Sequence, residues 1–62
     1  MENITISIET SNAAFKDAGV NYEVARILSQ LAERIKNDGM DAGEVFILRD
    51  ENGNKVGTAT AS

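Results

Sequence analysis

The chain has 62 residues, six basic against ten acidic side chains and a net charge of −4, with no cysteine, histidine, proline or tryptophan. A chain of this length makes one domain, residues 1–62, and buries a small core, so self-association is an expected source of extra stability. The inventory excludes disulfides, thiolate or imidazole metal sites, cysteine nucleophiles and serine-histidine triads, and the acidic balance argues against generic nucleic-acid binding.

Ile4-Thr5-Ile6-Ser7-Ile8-Glu9-Thr10 alternates apolar and polar residues and is rich in β-branched types. It reads as a half-buried strand with Ile4, Ile6 and Ile8 toward a core and Thr5, Ser7 and Glu9 toward water. The alternation also leaves no apolar run of signal-peptide kind after Met1-Glu2-Asn3, and no stretch nears the roughly 18 apolar residues of a membrane span. A cytoplasmic protein without membrane association is expected.

Residues 11–20 hold Asn12, Asp17 and Gly19 around Ala13-Ala14-Phe15. They read as a connection anchored by Phe15, with room for a short helical turn. After it, Val24, Ile27, Leu28, Leu31 and Ile35 recur at three- and four-residue steps, the pattern of one apolar helix face. Asn21 is the expected N-cap, Glu23 suits the first turn and Lys36 the last. Gly39 is the expected left-handed C-cap after Asp38. Glu23 with Arg26, and Glu33 with Lys36, are spaced as exposed helical pairs, while Arg26, Gln30, Glu33 and Asn37 form a solvated face.

Glu44-Val45-Phe46-Ile47-Leu48-Arg49-Asp50 and Lys55-Val56-Gly57-Thr58-Ala59-Thr60-Ala61 flank Glu51-Asn52-Gly53-Asn54, a hairpin signal. Two registers compete. A two-residue Asn52-Gly53 loop sets Leu48 opposite Gly57. A three-residue loop with Gly53 left-handed sets Asp50 opposite Asn54 and Leu48 opposite Val56. The second is favoured because it groups Phe46, Leu48, Val56 and Thr58 on one face. It leaves Val45 and Ile47 beside Gly57 and Ala59 on the other, an apolar patch that a partner would cover.

The expected fold is therefore α+β, with order β-α-β-β and one helix packed on a three-stranded antiparallel sheet of strand order 1-3-2. No internal repeat or low-complexity segment interrupts it.

Few motifs of chemistry are present. Asp50, Asn52 and Asn54 imitate the start of a calcium loop, but Lys55 and Ala61 stand where glycine and a bidentate glutamate are required, so these residues are read as turn formers. Asp38, Asp41 and Glu44 read as a helix exit in preference to a magnesium site. No phosphate-loop or dinucleotide glycine pattern occurs, and Lys16, Lys36 and Lys55 form no evident pair with a hydroxyl nucleophile. No catalytic residue, cofactor or metal ligand is assigned. Tyr22 is expected to pack against the loop around Phe15, with stacking on a ligand or partner as its other use.

The run from Asn3 to Phe15, the segments Glu23-Val24-Ala25-Arg26-Ile27-Leu28 and Leu31-Ala32-Glu33-Arg34-Ile35, and the closing Leu48-Arg49-Asp50-Glu51-Asn52-Gly53-Asn54-Lys55-Val56-Gly57 resemble a group of small uncharacterised bacteriophage and prophage proteins. The resemblance covers nearly the whole chain and carries no catalytic or binding residues with it. It implies a phage origin and, by analogy with anti-CRISPR proteins, stoichiometric inhibition of a host defence complex.

Two readings of function follow from the sequence. The leading one is a non-enzymatic interaction protein, expected to be a homodimer, that binds a partner protein through Val45, Ile47 and Ala59 on the outer sheet face or through Arg26, Gln30 and Glu33 on the helix, with Tyr22 as a further contact. The alternative is a binder of a nucleotide ligand or nucleic acid. It would place Arg26, Arg34, Arg49 or Lys55 against phosphates and use Tyr22 or Phe15 for stacking.

Overall fold

The β-branched alternation of the first segment forms strand β1, Ile4–Ile8, in a computed structural model that describes residues 2–62. Two helices follow, α1 over Ala13–Ala18 and α2 over Val20–Asp38, then strands β2, Val45–Arg49, and β3, Lys55–Ala61. The sheet is antiparallel with order β1-β3-β2, as the sequence predicts, and α2 makes the crossover between the first two strands.

The connection around Phe15 is the short helix α1, which buries Ala14 and Phe15. Gly19, at φ 91°, ends α1 and starts α2. Helix α2 therefore begins at Val20, ahead of the expected Asn21 cap, and its first bond runs from the Glu23 N–H to the Gly19 carbonyl at 3.0 Å. Gly19 sets the break by its positive φ and has no side chain to cap the first turn. The far end stops at Gly39 as expected, at positive φ and with its N–H bonded to the Ile35 carbonyl, but at φ 75°, ψ 175° the residue is extended and not in the helical left-handed conformation.

In the hairpin, each competing register holds at one end. The Asp50 N–H meets the Asn54 carbonyl at 2.9 Å and Gly53 is at φ 87°, as the three-residue loop requires. Further along, however, Leu48 faces Gly57, as in the two-residue alternative. A β-bulge between these points absorbs one extra residue of β3, and past it every side chain changes face. Ala59, opposite Phe46, is consequently on the helix side and fully buried, which corrects its placement on the outer face. Thr58 moves the other way, opposite Ile47.

The core lies between α2 and the β2-β3 half of the sheet, with Phe15 and Met40 closing its ends. Only part of the predicted helix stripe enters it: Ile27 and Leu31 are buried, Val24 and Ile35 half-buried, and Leu28 exposed. The buried line is Glu23, Ile27, Leu31, at four-residue steps, so the helix face is rotated toward β2 relative to the apolar stripe. In consequence the β1 isoleucines are not covered as predicted. Ile6 is opposite Ala59 and thus on the helix side, yet Ile4 and Ile6 are each 44% exposed and only Ile8 packs against the core.

A candidate protein-docking hollow between α2 and the edge of β2

The rotation of α2 carries Arg26, Gln30 and Arg34, three residues at four-residue steps, over the outer edge of β2. With Val45, Ile47 and Arg49 they line an open hollow of about 600 Å³ whose floor reaches the hairpin loop at Gly53.

Glu23 fixes this arrangement. Its carboxylate is fully buried and takes the Arg26 guanidinium in a fork, Nε to Oε1 at 2.6 Å and Nη2 to Oε2 at 3.1 Å. Oε2 also accepts the Glu51 N–H at 2.8 Å, which ties the helix to the hairpin loop. The Arg26 side-chain bond holds the Glu23 carboxyl below its ordinary range, against the opposing effect of burial, and the Glu51 N–H adds to the lowering. Arg26 is raised in turn by the same contact. The pair expected to be exposed is thus buried on its acidic side.

Arg26 continues to Gln30 Oε1 at 3.1 Å and to the Arg49 carbonyl at 3.2 Å. Arg34 donates to the Ile47 carbonyl at 3.5 Å, and its guanidinium carbon lies 4.3 Å from the centre of the Phe46 ring, within cation–π range. Arg49 donates to the Gly53 carbonyl at 3.1 Å. Asp50 and Glu51 also line the hollow, so three guanidiniums share it with two carboxylates, but among the described residues Arg34 and Arg49 have no carboxylate at salt-bridge distance.

Asp50 organises the loop below. Its Oδ1 accepts the N–H groups of Asn52 and Asn54, both at 2.9 Å, and its Oδ2 accepts Asn12 Nδ2 at 2.7 Å and Asn54 Nδ2 at 3.3 Å. Burial pushes the Asp50 carboxyl up, but these bonds outweigh it and hold the group below its ordinary value. The loop residues are therefore turn formers around a buried carboxylate, and the helix exit is closed similarly, with Glu44 Oε1 accepting the Asp41 N–H. Among the described residues no group of three or more acidic side chains is placed to hold a metal ion, and no helix is long and apolar enough to cross a membrane.

Of the residues singled out from sequence, the structure brings Arg26, Gln30, Val45 and Ile47 together in the hollow, with Val45 51% exposed. Ala59 is in the core, and Glu33 is exposed on α2 outside the hollow. Tyr22 is 65% exposed one helical turn before Arg26, outside the residues that line the hollow, so most of its ring surface is not packed against the loop around Phe15. Arg34 and Arg49 join the hollow, Lys55 does not, and Phe15 is too deeply buried to stack on a ligand. The residues missed are Glu23 and Asp50. Glu23 had a readable signal, since it stands four residues before Ile27 on the line that continues to Leu31.

Comparison of the chain with protein-family models, with characterised proteins and with solved structures finds no match.

Proposed function

We propose that this chain is a non-enzymatic protein-binding module that docks a partner protein in the hollow between α2 and β2. The observation that carries the reading is the meeting of two guanidiniums that make no ion pair among the described residues, Arg34 and Arg49, with the apolar Val45 and Ile47 in one open depression, where Asp50 and Glu51 mark the loop end. Arginine beside aliphatic surface is a composition favoured at protein interfaces, and the charge selects an acidic segment on the partner. Given the resemblance to phage proteins, the proposed role is stoichiometric inhibition of a host defence complex in the host cytoplasm.

The test is affinity capture from a bacterial host lysate, with the paired variant Arg34→Ala, Arg49→Ala as control. The wild-type chain should retain a partner that the variant loses while its circular dichroism is unchanged. Equal recovery by both would place docking elsewhere.

The same two guanidiniums favour a second reading, a phosphate-bearing ligand such as a nucleotide or a short nucleic acid. Calorimetry at low salt against a nucleotide panel and short DNA separates the readings, because phosphate contacts are strongest there. Binding heat that the paired variant abolishes, without any captured protein, supports the ligand.

A further inference from the structure

The two edges of the sheet carry their free backbone groups differently. On β2, the carbonyls of Ile47 and Arg49 point outward and are already occupied by Arg34 and Arg26. On β1, Asn3 exchanges both backbone bonds with Ser62, and the Glu9 N–H meets the Val56 carbonyl. With Ile4 opposite Ala61 and Ile8 opposite Gly57, the antiparallel ladder thus turns the odd-numbered residues of β1 toward β3. The N–H and C=O groups of Ile4, Ile6 and Ile8 point away from the sheet, and Ile4 and Ile6 each leave 44% of their surface exposed beside them.

We infer that this edge pairs with the β1 edge of a second copy, antiparallel about a two-fold axis at Ile6. The proposal concerns a surface separate from the hollow and stands or falls independently of it. In that register Ile6 faces Ile6 of the partner copy and Ile4 faces Ile8, which are the residues whose backbone groups are free, so every outward donor of the strand meets an outward acceptor. An odd shift would oppose residues whose bonds are spent on β3, and a longer even shift would leave isoleucines unpaired. The charges agree as well: Glu9 falls opposite Asn3 and Glu2 opposite Thr10, with no carboxylate facing another.

Residues directly opposite in an antiparallel pair share a face, so the two isoleucine rows join into one apolar floor on the helix side. Leu28 is likewise exposed, on the flank of α2 that the helical period turns away from the β2 edge. Pairing of β1 with β2 of another copy would instead build an open chain, and the arginines seated on the Ile47 and Arg49 carbonyls oppose it. Closure as a dimer is the favoured outcome.

Amide exchange read by NMR over a dilution series, from millimolar to low micromolar, tests the register directly. In the dimer Ile4, Ile6 and Ile8 amides are protected; on dilution they should speed up at least about tenfold while Thr5 and Ser7, bonded to β3, stay slow. The chain is short enough for chemical synthesis, and N-methylation of Ile6 removes one donor from each copy without touching the β1-β3 ladder. It should weaken dimerisation about tenfold or more in sedimentation, with circular dichroism unchanged. A strict monomer at millimolar concentration overturns the proposal. So does a dimer indifferent to N-methyl-Ile6, which would assign the contact to Val45 and Ile47, or growth into larger polymers.

Discussion

Strands β1 and β2 flank the same central strand, yet Phe46 and Leu48 of β2 are buried while Ile4 and Ile6 of β1 are 44% exposed. Both strands offer apolar residues to the helix side of the sheet, so hydrophobicity alone does not decide which one α2 covers. The polar contacts do. Glu23 and Arg26 fasten the helix to the hairpin loop and to Arg49, and Arg34 reaches over Phe46 to Ile47. These are directional attachments, and all of them lie on the β2 side. An apolar stripe sets that a helix must pack; a few directional contacts, anchored on the buried Glu23 carboxylate, set where it leans.

Truncations on the two sides should differ most. Leu31→Ala, in the covered half, is expected to cost about 2–5 kcal/mol, whereas Ile6→Ala at low protein concentration should cost roughly 1 kcal/mol because much of that side chain is already in water. Urea unfolding of both variants measures the gap, and equal costs would break the comparison by showing β1 covered in solution.

Gly57→Ala attacks the bare side from within. A Cβ at Gly57 would overlap the Ser7 carbonyl oxygen, a backbone atom that can move only if β1 moves. The expected cost is about 2–3 kcal/mol, with amide protection lost at Thr5 and Ser7 and kept at Phe46 and Leu48. Simultaneous loss in both strands would mean that the sheet opens as one unit.

Acid should loosen the covered side. Both Glu23 and Asp50 are held below their ordinary values of 4.5 and 3.8, so the folded state favours their ionised forms. The stability they contribute is complete above those values and falls away as pH drops through the lower folded-state values. Melting temperature should therefore be flat near neutrality and decline below about pH 4.5, with a shallower decline in Glu23→Gln, whose neutral pH stability is already reduced. A variant that keeps the full acid slope would remove Glu23 from the account.

The strand order, the helix exit at Gly39 and the anchoring of Phe15 were legible in the sequence because periodicity, a glycine and an isolated aromatic each speak locally. The bulge was not: it depends on how β3 meets the Asn54 end of a loop whose two registers are nearly equivalent in residue chemistry. That single extra residue moved Ala59 from the expected outer face into the core. The hollow was half legible, since Arg26, Gln30, Val45 and Ile47 were identified and Asp50 was read as a turn former, while Glu23 was read as half of an exposed helical pair and the burial of both carboxylates was missed. A carboxylate buried by a partner 28 residues away, as Glu23 is by Glu51, leaves no local mark beyond its place on the helix line.

Gly19 has a consequence for the chain's path as a whole. Without a break there, residues 13–38 would form a single straight rod about 39 Å long at 1.5 Å per residue. The whole fold extends 35 Å along its longest axis. One residue at positive φ therefore breaks a rod too long for the molecule into two pieces that fit inside it, and the shorter piece brings Phe15 into the core.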